Sequence, residues 1–428
     1  MVLRLGAVTG VGHARLIFER FGRFWGAFSV IDLFLLNALT IVTEFIGIAL
    51  ALDYLGVSKP LGVALAAVAI MAAVCTGDFR RFERFALALC AGSLLLVPIF
   101  LMIHPPLAEI AGDLAMPRLP KDAKVSEVML LIIAIVGTTI APWQLFFQQS
   151  YVIDKRITPR FIRYERVDLW LGIVMVIVGA VAMMAFTAAA FRGQAEFGSF
   201  ADAGAVASGL EKYAGRLPGA LFALALIDAS VVGASAVSLS TAYAIGDVLS
   251  LKHSLHRKPA DARGFYAVYC GLIVVAAGLV LTPGAPLGLL TNAVQTLAGV
   301  LLPSAKVFLL LLCNDKAVLG PWSNTRVMNL FTGAVIAALV MLSILGGGTV
   351  LAMLTAMFSG ALRKTEGDKK RKSIGRRSLD NWRMPPLAEL PPSELSYSSR
   401  IWMGVLRGYL VIAGGLVLLR IISLAIAH

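Results

Sequence analysis

Charged residues are scarce in this sequence, at 15% of 428 residues, while hydrophobic residues make up 58%. A typical soluble domain carries about 25% charged residues. Together with a mean hydropathy of +0.83, this scarcity excludes a soluble globular protein and favours a polytopic membrane protein. The net charge of +13 does not indicate a nucleic-acid partner, because the basic residues lie in short segments between apolar runs.

Soft metal ligands are also lacking where a membrane site would need them. All five histidines lie in loops or at the ends of segments, none of them in the interior of an apolar run, and no C-x-x-C spacing occurs. We therefore expect neither a disulfide framework nor a thiolate metal site, and we interpret the cysteines as packing residues. They are Cys75, Cys90, Cys270 and Cys313. No paired nucleophile and base is visible at membrane depth, so an enzyme is not expected.

Ten apolar runs are long enough to be considered as helical spans of a bilayer, which requires roughly 20 residues each. They lie at 29–52, 60–76, 85–104, 128–149, 167–191, 218–247, 264–282, 286–313, 327–358 and 402–427. The run 327–358 is too long for one ordinary span, and we favour a double passage that reverses at the glycines 346–348. The expected fold class is therefore an all-α polytopic membrane protein with about 10–11 transmembrane helices.

Basic residues are concentrated in three of the connecting loops, which the positive-inside rule assigns to the cytoplasm. These residues are Arg80, Arg81 and Arg84 in the first loop, Lys155, Arg156, Arg160, Arg163 and Arg166 in the second, and Lys252, Arg257, Lys258 and Arg263 in the third. The loops 53–59, 105–126 and 192–217, and the turn at 282–285, are only lightly basic and are expected to face outward.

One predicted span, 128–149, carries helix-breaking residues in its middle. Gly137 adds backbone flexibility and Pro142 lacks a backbone N–H, so peptide groups between Thr138 and Trp143 are expected to leave the helical hydrogen-bond ladder. Unwound backbone at mid-membrane depth is typical of ion or substrate sites in secondary transporters. A proline kink whose backbone groups are satisfied by neighbouring helices is the alternative.

Three polar residues share one face of the first span. Asn37, Thr40 and Glu44 recur at i, i+3 and i+7, and such a stripe is not expected to face lipid. A carboxylate inside the membrane is costly unless it is paired or hydrated, so Glu44 is a candidate for a cation path or a gate. A protonated Glu44 that is hydrogen-bonded to another helix is the alternative.

Two later spans contain further candidates. Asp228 lies inside the span 218–247, where a structural ion pair with Lys306 or Arg420 and a proton relay are both possible; the serines around it are interpreted mostly as packing residues. Gln295 precedes Pro303 on the span 286–313, which predicts a second polar, proline-bent helix. Neutral amide oxygens of this kind favour the hard cations Mg²⁺, Ca²⁺ or Mn²⁺.

Three segments together resemble the natural-resistance-associated macrophage protein (Nramp) family of divalent-metal transporters. They are TEFIGIALAL at 43–52, GTTIAPWQLFF at 137–147 and QTLAGVLLP at 295–303. The resemblance extends over most of the chain and implies a broken-helix inverted-repeat (LeuT-like) transporter fold. It also implies that a backbone ligand of the sixth family helix falls on Thr138 and a glutamine of the tenth on Gln295.

The chain departs from the family pattern at several ligand positions. Ala141 stands in place of the family's methionine ligand, and Trp143 and Gln148 replace its two sixth-helix histidines. Of the family's third-helix acid pair only Glu44 is retained, since Ile41 occupies the aspartate position. These replacements resemble the Nramp-related magnesium-transporter branch, whose wider, harder site suits an ion that loses water reluctantly. The family's first helix, which supplies aspartate and asparagine ligands, would precede Met1, so the chain is expected to be truncated at its start.

The resemblance implies transport of a divalent cation, Mg²⁺ or Mn²⁺, by alternating access in the plasma (bacterial inner) membrane, with the ion as substrate and no cofactor. Two alternatives are a transporter of organic solutes on the same fold and a non-transporting truncated remnant. The expected organisation is a cytoplasmic basic segment at 1–28, which includes the end of a truncated helix, and a transmembrane transporter core at 29–360. A basic cytoplasmic linker at 361–400 and a C-terminal transmembrane helix at 401–428 are expected to follow.

Overall fold

A computed structural model describes residues 1–116, 125–198, 200–282, 287–345, 380–391 and 400–408, apart from 405 and 407. Within these residues the chain is helical, in agreement with the expected all-α class. The α-helices are α1 Val2–Thr9, α2 His13–Phe21, α3 Arg23–Tyr54, α4 Lys59–Val74, α5 Phe79–Gly92, α6 Leu96–Ile103, α7 Leu107–Ala115, α8 Val125–Thr139, α9 Pro142–Asp154, α10 Ile162–Phe191, α11 Ala203–Ala214, α12 Arg216–Val248, α13 Arg263–Val280, α14 Leu287–Asn314, α15 Lys316–Leu319 and α16 Arg326–Leu345.

Seven segments of the described chain are long and apolar enough to cross a membrane. They are Arg23–Tyr54, Phe79–Ile103, Leu131–Asp154, Pro159–Phe191, Arg216–Val248, Arg263–Val280 and Leu297–Asn314, and two shorter apolar helices are Lys59–Val74 and Arg326–Leu342. Nine of the ten predicted spans overlap these segments, because long apolar runs are the clearest helix signal in a membrane protein. Two predicted loops also contain helices, since α7 lies within 105–126 and α11 within 192–217.

Some sequence-based predictions fall outside the described residues. These are the turn at 283–285, the second half of the predicted double passage at 346–358, and nearly all of the final span 402–427. The described chain divides into two compact units that are interleaved along the sequence. Unit 1 comprises residues 1–31, 122–162 and 295–428, and unit 2 comprises residues 32–121 and 163–294.

Helix α12 is the centre of unit 2. It packs against α4, α5, α6, α11 and α13, and its alternation of Ala, Gly and Ser with larger residues allows such close packing on several sides. One aromatic and aliphatic cluster joins α6, α10, α11 and α12. Its buried members include Ile99, Phe186, Phe191, Leu210 and Phe222.

In unit 1 the first two helices pack on α9. Gly6 permits this approach on α1, because a Cβ atom there would lie only 3.1 Å from the carbonyl oxygen of Gln149. Helix α2 is further attached by Arg20, which forms a 2.7 Å ion pair with Asp315. Asp315 also caps the N-terminus of α15 by accepting a hydrogen bond from the backbone N–H of Ala317. The segment predicted as a basic cytoplasmic region is therefore an integral part of this unit.

Part of the predicted linker 361–400 is docked on unit 1 and is not a free tether there. Arg20 Nη1 donates to the carbonyl oxygen of Pro391 at 2.7 Å, and Arg160 Nη2 donates to Asn381 Oδ1 at 2.8 Å. The ring of Trp382 fills the space left by the missing side chain of Gly320, just before α16. Residues 380–391 thus lie beside the segment that precedes α16. The rest of the predicted linker, apart from Arg400, lies outside the described residues.

Helices α8 and α14 of unit 1 touch through their backbones. A methyl group at Gly137 would overlap the carbonyl oxygen of Gln295 and the backbone of Gly299, and one at Gly299 would overlap the carbonyl of Ile133. Small residues at helix contacts allow this kind of approach in membranes. Gly137 therefore allows α8 to cross α14 at close range, in addition to providing the backbone flexibility expected from the sequence.

The first prediction concerns this crossing. We expect Gly137→Ala to lower the thermal midpoint of the detergent-solubilised chain markedly, because overpacking a close contact costs about 1–3 kcal/mol or more. Gly172→Ala is the matched control, since no atom lies within 4 Å of a Cβ at that position on α10. Equal midpoints for the two variants would contradict the crossing.

His13, the first residue of α2, is fully buried against α9. Its Nδ1 lies 2.8 Å from Gln149 Oε1, and its ring meets that of Phe146 edge-on at 4.8 Å. Because Gln149 Nε2 donates to the carbonyl of Val11 at 2.7 Å, Oε1 is the acceptor and His13 Nδ1 carries the proton. Burial lowers the pKa of His13 to about 4, although the hydrogen bond to Gln149 acts in the opposite direction.

The second prediction follows from this pKa. Below the ordinary histidine pKa of 6.5, the unfolded chain binds more protons than the folded chain. The stability that neutral His13 contributes is therefore present above pH 6.5 and is lost as the pH falls towards 4, by up to about 1.4 kcal/mol per pH unit. We expect thermal midpoints measured between pH 7.5 and 4.5 to fall less steeply in His13→Asn, which keeps a donor but does not titrate. His104→Asn, at an exposed histidine, should leave the parental slope unchanged, and parallel slopes for all three proteins would contradict the assignment.

Candidate functional site: a helix break in unit 1 and a polar seam in unit 2

The chain between α8 and α9 is interrupted at Ile140 and Ala141. Helix α8 ends at Thr139, Ala141 is extended at φ −81° and ψ 153°, and α9 begins at Pro142. In a continuous helix the carbonyl oxygen of Thr138 would accept from the N–H of residue 142, but proline has no N–H. The Thr138 carbonyl is therefore a strong acceptor without its helical donor.

Neighbouring groups of the break are already used in other bonds. The N–H of Ile140 still donates to the Val136 carbonyl at 3.0 Å, and the Ala141 carbonyl accepts from the N–H of Gln144 at 3.2 Å. The Thr139 carbonyl accepts from Gln144 Nε2 at 3.4 Å. The carbonyl of Thr138 is the one whose helical N–H donor is missing, because residue 142 is a proline.

Gln295 is held next to this break. Its backbone lies against Gly137, one residue before Thr138, through the α8–α14 crossing, and its side chain is partly exposed. Ala141 is buried at 5% exposure. Unit 1 thus brings the backbone of Gln295 against Gly137, which shortly precedes Ala141 and Pro142 in the chain. The side chain of Thr138 lies outside what the structure describes.

The remaining predicted residues of α9 occupy different environments. Trp143 lies in the first turn of α9, with its ring 6.3 Å from that of Phe147, and Gln148 is partly exposed. The neighbouring Gln149, not singled out from the sequence, is fully buried and bonded to His13 and Val11. Gln149 differs from Gln148 because its side chain bonds to His13 and Val11, at and just before the start of α2. Two adjacent glutamines carry no sequence pattern that would reveal which of them is buried.

In unit 2 the polar stripe of α3 lies against α12. Asn37 Nδ2 donates to Thr241 Oγ1 at 2.8 Å, and the carboxyl group of Glu44 is hydrogen-bonded to Ser230 and packs on Gly233. Ser230 and Thr241 are therefore bonding partners of the stripe, and Ser230 is an exception among serines that were expected mostly to be packing residues. Gly47 extends the contact, because its missing side chain leaves room for the Ser230 hydroxyl.

These contacts define an antiparallel register between the two helices. Asn37 meets Thr241, Glu44 meets Gly233, and Gly47 meets Ser230, so the position opposite Thr40 falls at about Ser238. We call this band of Asn37, Thr40, Glu44, Ser230, Ser238 and Thr241 the polar seam. Seven residues of helix separate Asn37 from Glu44, so the seam extends over about 10 Å along α3.

Two atoms of the polar seam are buried without a partner in the part of the chain that the structure describes. They are Asn37 Oδ1 and Ser238 Oγ, on two side chains with 0% exposure. Thr40 is satisfied within its own helix, since its hydroxyl donates to the Leu36 carbonyl at 2.9 Å. Unpaired buried oxygens are costly in a low-dielectric environment, so this part of the seam is suited to water or a cation.

Asp228 does not belong to the polar seam. It precedes Ser230 by two residues, or about 200° around α12, and its carboxyl group lies against Gly92 at the end of α5. The face of α12 that carries Asp228 therefore meets α5, while the face that carries Ser230 meets α3. Of its two predicted partners, Lys306 belongs to unit 1 and Arg420 lies outside the described residues, so the ion pair stays a prediction.

The described residues contain no group of three or more His, Cys, Asp and Glu that could hold a metal ion. The groups near the helix break that carry oxygen donors are neutral: they include the Thr138 carbonyl and the amide of Gln295, whose backbone lies against Gly137. Such donors suit hard cations that keep part of their hydration shell.

Several known proteins resemble this chain in sequence or in fold. A "Divalent metal cation transporter MntH" from Pectobacterium carotovorum is 30% identical over 53% of this chain, and the match spans only 56% of that relative's length. A protein of the same name from Ralstonia nicotianae is 29% identical over 76% of this chain and 74% of its own. The solved structure of an Eremococcus coleocola manganese transporter, with an aromatic bis-isothiourea compound, aligns with a TM-score of 0.59 at 17% identity.

That alignment covers 98% of this chain and 84% of the manganese transporter, and at this identity it establishes the shared fold. The fold class expected from the resemblance is thereby confirmed. The sequence profile described as "Natural resistance-associated macrophage protein-like" matches residues 1–347. This match covers most of the chain and includes both the interrupted helix and the polar seam. The chain is therefore a multi-pass membrane protein that belongs to the Nramp family.

Proposed function

We propose that this chain transports divalent metal cations, Mg²⁺ or Mn²⁺, across the bacterial inner membrane by alternating access. The observation that carries the proposal is the break between Thr139 and Pro142, which leaves the Thr138 carbonyl without a helical donor inside an apolar span. Family membership and the names of the relatives, a divalent metal cation transporter and a manganese transporter, support the same substrate class.

In the proposed site the cation is bound by the Thr138 carbonyl and the Gln295 amide, with Ala141 beside them. Carbonyl and amide oxygens are hard donors that suit Mg²⁺ and Mn²⁺. Ala141 offers no ligand, and its small side chain leaves room for water molecules that the ion retains. Because Mg²⁺ gives up its water reluctantly, a spacious neutral site favours a partly hydrated ion.

The polar seam is proposed as a hydrated path or gate that is separate from the metal ligands. Glu44 supplies a negative charge when it is ionised, and the unpartnered oxygens of Asn37 and Ser238 offer stations for water. Within unit 1, Trp143 and Gln148 on α9 are proposed as polar-pathway or gating residues. Within unit 2, Asp228 is proposed as a further polar group near α5.

The third prediction tests the function with purified chain in proteoliposomes. We expect saturable uptake of Mn²⁺ that excess Mg²⁺ reduces, and we expect Gln295→Ala to raise the half-saturating concentration roughly tenfold, since one lost oxygen ligand is worth about 1–1.5 kcal/mol. Gln194→Ala, at an exposed loop position, is the matched control. Amino-acid flux that Mg²⁺ does not change, with no metal flux, would contradict the proposed function in favour of an organic solute.

The fourth prediction concerns ion preference. We expect Ala141→Met to shift competition in favour of Mn²⁺ over Mg²⁺ by about fivefold or more, because a thioether is a softer donor and also fills space that retained water needs. Leu131→Met is the control, because Leu131 lies on α8 with 63% exposure, away from the break. An unchanged preference in Ala141→Met would contradict the placement of the site.

A further inference from the structure

Two cysteines that are 195 residues apart in sequence come together in unit 2. Cys75 follows the last residue of α4, Cys270 lies on α13, and their Sγ atoms are 3.6 Å apart. Both side chains are partly exposed, whereas Cys90 is exposed and Cys313 is buried. The sequence predicts packing roles for the four cysteines and does not reveal this contact.

Helix packing holds the two thiols in position. Helix α4 packs against α13, and the Tyr269 hydroxyl, next to Cys270, donates to the Ile70 carbonyl at 3.2 Å. Cys75 itself still belongs to the end of α4, since its N–H donates to the Met71 carbonyl at 2.9 Å. The approach of the two sulfurs is thus a consequence of the helix contact.

The chain after Cys75 leaves its side chain room to move. Helix α4 has already ended, and Gly77 adopts a positive φ of 65° in the turn that follows. A disulfide bond requires about 2.05 Å between sulfurs, so the gap of 3.6 Å must close by about 1.5 Å. Side-chain rotation at the end of a helix and a small backbone shift cover such a distance.

A metal ion is a weaker explanation for the pair. Thiolate metal sites usually have three or four ligands, and the described residues contain no cluster of three His, Cys, Asp or Glu around these sulfurs. Two sulfurs in contact need no third group in order to form a disulfide.

We propose that Cys75 and Cys270 form a reversible dithiol–disulfide modification site that is oxidised by hydrogen peroxide. One thiolate attacks the peroxide, which becomes water while the sulfur becomes a sulfenic acid. The second thiolate then attacks that sulfur, the S–S bond forms and a second water leaves, so two thiols and one peroxide give one disulfide and two waters. A small thiol such as glutathione reverses the bond by exchange.

The location of the pair suits this chemistry. Two residues after Cys75, Gly77 packs against Arg257 and Lys258, and Phe79 stacks on His256 at 5.0 Å. The loops after α4 and α12 thus meet beside the pair, and both are basic loops that the positive-inside rule assigns to the cytoplasm. Thiols are kept reduced in that compartment, so the disulfide would form only when an oxidant is present.

The test is a thiol count on the full chain in detergent micelles, and its readout does not depend on metal transport. After treatment with hydrogen peroxide and a quench, the protein is unfolded in SDS and its remaining thiols are labelled with maleimide-polyethylene glycol. We expect the count to fall from four to two, to return to four with dithiothreitol, and to leave a linked Cys75–Cys270 peptide in the mass spectrum. Cys90→Ser should still lose two thiols, whereas Cys75→Ser and Cys270→Ser should lose none to an intramolecular bond.

Four labelled thiols after oxidation, or sulfinic acid on either cysteine without the linked peptide, would overturn the proposal. The peptide map of the parental chain decides the matter even where a serine variant fails to fold. Blocking of the pair by phenylarsine oxide, which bridges two adjacent thiols, is a second expected result in the unoxidised parent. Failure of this reagent to protect two thiols from maleimide would contradict the observed proximity.

Discussion

A peptide carbonyl that loses its helical donor inside an apolar span is the constraint on which the rest of this structure depends. The helix must end where Pro142 provides no N–H, and the bilayer offers no water to replace it. Ala141 is extended at this point, and the close crossing of α8 with α14 places the Gln295 backbone against Gly137. The freed carbonyl and the Gln295 backbone therefore belong to one region of unit 1, where we propose the cation site.

In unit 2, polar side chains are buried between helices and need hydrogen-bond partners there. The contacts of α3 with α12 pair an amide with a hydroxyl and a carboxyl group with a serine, so most of the stripe is satisfied by its antiparallel neighbour. Small residues such as Gly47 and Gly233 make this contact close enough for hydrogen bonds. The exceptions are Asn37 Oδ1 and Ser238 Oγ, and such unpaired atoms are typical of functional regions rather than of inert packing.

The helix break and most of the spans were predictable because their causes are local: a proline without an N–H and runs of apolar residues act wherever they occur. The stripe of Asn37, Thr40 and Glu44 was equally visible from its spacing. Its partner was not, since the register with α12 depends on which helix packs beside it. The same reason explains why the contact of Cys75 with Cys270 was missed, as helix packing alone brings them together.

The central claim is that the Thr138 carbonyl, freed by Pro142, is an oxygen ligand of the transported cation. The most direct test is an experimental structure of the full chain with Mn²⁺, in which anomalous scattering locates the ion. The account predicts a peak about 2.0–2.3 Å from the Thr138 carbonyl oxygen, at an interrupted helix and within reach of the Gln295 amide. A helix that is continuous through residues 138–142, or a Mn²⁺ peak bound only by other residues, would contradict it.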